Sequence, residues 1–147
     1  MIYKKGKTKN KKMSEFRYSI CEPTNPTIIE KGKIDSSAIM KILEEFPWRL
    51  LLEEAENSKN IYYSPSLEVE NLDNKNGLAI SAVGNPDKYD FYVFFKRPKM
   101  QKTWFGLSEK LNKNYTSELL DQSKEKTIEI VKALIDNNLS FLEHKFQ

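Results

Sequence analysis

Residues 77–105, GLAISAVGNPDKYDFYVFFKRPKMQKTWF, pack β-formers more densely than any other part of the chain. Leu78, Ile80 and Ala82 alternate with small or polar residues, the pattern of a strand with one buried face. Phe91 to Phe95 is unbroken apolar sequence, which predicts a strand covered on both faces. Between them Gly84, Asn85, Pro86 and Asp87 are turn chemistry, because Gly tolerates positive φ and Pro fixes its own φ and lacks an N–H. A hairpin follows. Upstream, the polar run Asn71 to Asn76 ahead of Gly77 predicts a loop that returns the strand Leu67 to Glu70 against the strand starting at Leu78. Downstream, Pro98 should interrupt the ladder and assign Trp104 and Phe105 to a further strand.

Working outward, Phe16, Tyr18 and Ile20 alternate with Glu15, Arg17 and Ser19, another half-buried strand. Ile28 and Ile29 start a short extended segment ending near Gly32. The period then changes: Ile39, Ile42, Leu43 and Phe46 fall on one helical face, with Asp35 or Ser36 placed to cap it. Pro47 should end or kink that helix and open a second one carrying Trp48, Leu51, Leu52 and Ala55 as far as Asn57. Ile61, Tyr63, Leu67 and Val69 supply the next strands. Beyond Gly106 a long amphipathic helix is predicted from Thr116 or Ser117 to Asn137, with Leu120, Thr127, Ile128, Val131, Leu134 and Ile135 inward and Glu125 and Glu129 outward. Leu139 to Phe146 reads as a short last helix.

The expected fold class is therefore α+β. An antiparallel β-sheet of about five or six strands, with a central meander over 61–106, carries helices from 36–57 and 116–146 mainly on one face. A chain of 147 residues fits one domain and buries about two-thirds of its unfolded surface without a covalent staple. The single cysteine, Cys21, makes no internal disulfide, which suits a reducing cytoplasm, and no run of roughly 18 apolar residues predicts a membrane span. Six of the 24 basic side chains, Lys4, Lys5, Lys7, Lys9, Lys11 and Lys12, precede Met13; the remaining 18 face 21 acidic ones, a balance of −3. Residues 1–12 read as a disordered basic arm, with Met13 an alternative start, ahead of a single domain over 13–147.

Five features have residue types that carry chemistry. Glu68 and Glu70, two apart on a strand, aim both carboxylates to one side; such a pair can divide acid and base roles, although Leu67 and Val69 place them equally well on a solvated face. Glu53, Glu54 and Glu56 read as a helix exterior. His144 has no local nucleophile or metal-ligand partner, and Cys21 has only Arg17 nearby to lower its pKa. No phosphate loop, zinc spacing or nucleophile elbow occurs, so a non-enzyme without cofactor or metal is expected. The remaining cluster is Tyr92, Phe94, Lys96, Arg97, Lys99, Lys102 and Trp104, where aromatics and cations interleave.

Two functions fit that cluster. Aromatic anchors with a few charges suit a protein interface. Glu68, Glu70, Tyr92, Phe94, Lys96, Arg97 and Trp104 would then form it, in a small cytoplasmic binding protein such as a bacterial immunity protein that occludes a toxin. The Lys-, Asn- and Ile-rich composition suggests an AT-rich bacterial genome, and a body of net charge −3 would oppose a basic nuclease. Alternatively, the basic arm and the 92–104 segment bind nucleic acid by neutralising phosphates and stacking bases. A secretion chaperone holding an extended segment along the sheet is a further variant of the protein-binding class.

Overall fold

The computed structural model describes residues 14–103 and 106–147. The basic arm, Met13, Trp104 and Phe105 lie outside the described residues. The elements run β1 (Glu15–Cys21), β2 (Ile29–Asp35), α1 (Ser36–Glu45), α2 (Trp48–Glu56), β3 (Ser66–Asn71), β4 (Gly77–Asn85), β5 (Lys88–Thr103), β6 (Ser108–Gln122), α3 (Lys124–Ile135) and α4 (Leu139–Lys145). Six strands form one antiparallel sheet in the order β2-β1-β3-β4-β5-β6. The expected α+β architecture is thus observed. The meander starts at β3, and β1 with β2 extends the sheet on its far side.

One face of the sheet is the core. Phe16, Leu67, Val69, Leu78, Ile80, Ala82, Phe91, Val93 and Phe95 point into it and are each at most 4% exposed. Ile39, Leu43, Trp48 and Leu52 from the first helix pair, with Ile130, Val131, Leu134 and Leu142 from the last, cover them. Pro47 separates α1 from α2 as its missing N–H requires, and Trp48 folds back so that its indole Nε1–H donates to the Leu43 carbonyl at 3.2 Å.

The β4–β5 hairpin forms where its turn residues predict. Asn85 opposes Lys88 across Pro86 and Asp87, and the Asn85 side-chain oxygen accepts from the Asp87 and Lys88 amides at 3.1 and 2.9 Å. Gly84 has φ +134°, and a Cβ there would sit 2.6 Å from the Lys88 carbonyl oxygen and 2.9 Å from the Tyr89 Cα. Both obstacles are backbone. Gly84→Ala is expected to lose more than about 1 kcal/mol in urea unfolding, since the residue must adopt a left-handed φ and push the paired strands apart. An unchanged midpoint would mean that the strands separate freely at this point.

Four expectations are corrected. The segment 116–122 is strand, not helix: Tyr115, Ser117 and Leu119 alternate with exposed Thr116, Glu118 and Leu120, and the helix starts only at Lys124, where the Ser123 hydroxyl accepts from the Lys126 amide at 3.2 Å. Pro98 does not end its strand, because a register shift between Arg97 and Lys99 makes a bulge that needs no N–H, and pairing resumes to Thr103. Residues 61–65 join no strand; the Tyr62 amide donates instead to the Pro23 carbonyl at 2.8 Å and the Tyr63 hydroxyl to the Pro26 carbonyl at 3.2 Å. Finally, the aromatic run of β5 is not covered on both sides. Phe91, Val93 and Phe95 are buried under the helices, while Tyr92 and Phe94 are half-buried on the opposite face.

Candidate functional site

No described helix covers the second face of the sheet, and strand register determines what it displays. One row runs Arg17, Glu70, Gly77, Lys96, Thr116; the next runs Ser19, Glu68, Ala79, Phe94, Glu118. Beside them Ser66 and Ser81 share a hydrogen bond at 2.7 Å, and Ser81 opposes Tyr92. An ion pair of Arg17 with Glu70 at 3.2 Å runs along the first row, and one of Lys96 with Glu68 at 3.4 Å joins the two rows. The two carboxylates do share a side, as their spacing predicts. Each is held by a cation of a different strand, so neither is placed against the other as an acid–base couple. Phe94, flanked by the short Ala79 side chain, leaves its ring accessible between Glu68 and Glu118.

The face continues into a projection. Pairing of β4 with β5 ends at Gly77 and Lys96, whereas β5 and β6 go on pairing to Thr103 and Ser108. That leaves a two-stranded ribbon standing beyond the sheet. Met100 opposes Leu111 on it, 53% and 47% exposed, among Lys99, Lys102, Lys110 and Lys113. Where the ribbon leaves the sheet a cleft of about 490 Å³ opens.

Comparison with protein-family models, curated proteins and solved structures finds no match for this chain.

Among the residues expected at an interface, Glu68, Glu70, Tyr92, Phe94 and Lys96 come together on the open face. Trp104 lies outside the described residues. Arg97 is set apart, on the helix side and 3% exposed. Its guanidinium donates to both Glu143 carboxylate oxygens at 2.8 and 2.9 Å, to the Ser117 hydroxyl at 2.8 Å and to the Phe95 carbonyl at 3.1 Å. It also stacks over the rings of Phe95 and Tyr115 at 4.4 and 4.6 Å. Alternation explains this: a residue one place beyond Lys96 must face the other way. Arg97 is a packing residue that ties α4 to the root of the ribbon.

Cys21 sits half-buried, with its thiol pKa raised first by burial and then by the charge of Glu68, the reverse of what a reactive thiolate needs. His144 lies in the last turn of α4 and is exposed. On α2, Glu53 approaches Arg49 at 3.8 Å and Glu54 accepts from the Thr24 hydroxyl, so this acidic cluster is a helix exterior engaged in surface contacts. Among the described residues no group of three His, Cys, Asp or Glu side chains is placed to hold a metal ion, and no helix is long and apolar enough to cross a membrane. Sequence reasoning missed Arg17, Lys75 and Lys113 as members of the site. The β1–β3 pairing brings Arg17, the β3–β4 loop brings Lys75 and the return of β6 brings Lys113 to Lys96.

Proposed function

We propose that the chain is a non-catalytic protein-binding domain that engages its partner through the open sheet face and the ribbon. In its concrete form it is a bacterial immunity protein that occludes a toxin in the cytoplasm. The observation that supports this reading is the uncovered face itself, where Tyr92 and Phe94 lie half-buried among Arg17, Glu68, Glu70 and Lys96. Rigid aromatics bury a large area at small entropy cost, and charges of both signs around them set register and exclude wrong partners. The ribbon lysines favour nucleic acid as a second reading, but Glu68, Glu70 and Glu118 on the same face would oppose phosphates.

The test is a purified complex. Full-length chain used as bait in native lysate, treated with nuclease and washed at high salt, is expected to retain one stoichiometric protein. Against that protein, Phe94→Ala and Tyr92→Ala should each weaken binding by about tenfold or more while leaving the unfolding midpoint nearly unchanged. Full affinity in both variants would remove the face from the interface. Retention of nucleic acid alone, at low salt, would favour the second reading.

A further inference from the structure

The cleft between ribbon and sheet is rich in cations. Arg17, Lys75, Lys96 and Lys113 line it against one carboxylate, Glu70. Glu70 holds Arg17, and Glu68 holds Lys96 from outside the cleft, so the two other lysines dominate its charge. Neither Lys75 nor Lys113 has an ion-pair partner among the described residues. Apolar walls complete it, Pro98 from the bulge of β5 and Leu111 from β6.

The cationic edge is preorganised. Lys75 occupies a left-handed position, φ 64°, in the β3–β4 loop, and its amide donates to the Asn71 carbonyl at 2.9 Å. Asn71 is 2% exposed; its side-chain oxygen accepts from the Asp73 amide at 2.9 Å, and its own amide donates to the Asn76 carbonyl at 2.8 Å. The loop is thus tied to the sheet at both ends, and ordering Lys75 on binding costs little beyond its side-chain rotamers.

We propose that this cleft anchors the interface by receiving an acidic loop of the protein partner, a carboxylate flanked by an apolar side chain. This rests on the protein-binding reading and names the chemistry of the partner at that site. The carboxylate satisfies Lys75 and Lys113 together, and the apolar neighbour lies against Leu111 and Pro98. Cations continue up the ribbon, where Lys102, Lys110 and Lys113 line an adjoining cleft, but a phosphodiester chain entering this one meets Glu70 inside it and Glu68 and Glu118 on the face beside it. The net charge of the domain does not describe the interface. Its acidity gathers elsewhere, with Glu44, Glu45, Glu53, Glu54 and Glu56 on the first helix pair against Lys41 and Arg49.

The experiment titrates isotope-labelled full-length chain with a capped Glu-Leu-Glu peptide, following backbone amide shifts by NMR, beside a capped Gln-Leu-Gln peptide, inorganic phosphate and a short DNA duplex. The expected result is saturable shifts confined to the amides around Lys75, Lys96 and Lys113 with the acidic peptide, and none with its amide counterpart. The Lys75→Glu, Lys113→Glu double variant, whose substitutions lie on the surface, should bind at least about tenfold more weakly. Absent or scattered shifts with the acidic peptide overturn the proposal, as does tighter binding of the duplex or of phosphate at the same amides. The double variant also separates this inference from the reading beneath it. If the captured partner binds it with unchanged affinity, the cleft is not the anchor while the sheet-face reading stands; if wild-type chain captures no protein, that reading falls and the peptide titration still decides the cleft.

Discussion

Glu143→Ala is expected to cost about 3 kcal/mol of folding stability, a large share of what a domain of this size has. Arg97 stays 3% exposed and charged, and the substitution removes the carboxylate that accepts two of its four described hydrogen bonds. A buried guanidinium with those donors unpaired is penalised far more than the intact pair stabilises. The magnitude lies toward the low end for a broken buried pair, because the Glu143 side chain is 34% exposed and water can reach the vacated position. Two controls define the cause. Arg97→Met with Glu143→Leu should recover most of the loss, since neither charge is then stranded. The second control is pH. Hydrogen bonding to Arg97 holds the Glu143 carboxyl below its ordinary value of 4.5; partial burial opposes this, and the charges of Arg97 and Lys99 add to it. A carboxyl whose pKa is lower folded than unfolded contributes stability that is complete above the unfolded value and is lost as pH falls through the folded one. Urea midpoints of wild type and Glu143→Gln should therefore differ most at neutral pH and begin to converge as pH falls below about 4.5. A difference that is constant across that range would show that the pair contributes through packing alone.

The second large effect contrasts neighbours. Phe95→Ala should lose about 3–5 kcal/mol and Phe94→Ala less than about 1. Phe95 is fully buried, 5.4 Å from the Phe146 ring, and forms the surface over which Arg97 stacks, so its removal leaves a cavity and unseats α4. Phe94 loses only the contacts of a half-buried ring with its strand neighbours. Chemical unfolding of both variants decides the orientation of β5: similar losses would mean a strand buried on both faces, and the open face would not exist.

The central hairpin was legible because each cue acts locally. Asn85, Pro86 and Asp87 specify a turn without reference to the rest of the chain, and Leu78, Ile80 and Ala82 need only a period of two. The α1–α2 break at Pro47 is equally local. What failed depends on partners distant in sequence. Leu119 and Leu120 carry helix and strand patterns equally well, and β6 wins because β5 offers it a long ladder. Five consecutive apolar residues in β5 hide an alternation that appears only when helices cover one side and nothing described covers the other. Arg97 could not be told from Lys96 by type. Their positions one apart on a strand send one to Glu143 and the other to Glu68, and reading that requires the strand to continue through Pro98, which the bulge permits.

The most direct measurement is hydroxyl-radical footprinting of the full-length chain, free and in the complex captured from lysate. Oxidation of Tyr92, Phe94, Met100 and Leu111 should fall in the complex, while Leu50 and Leu139, 66% and 42% exposed on the helix layer, should react as in the free chain. Protection of Leu50 and Leu139 with unchanged reactivity across the sheet face and ribbon would contradict the proposal that this face binds the partner.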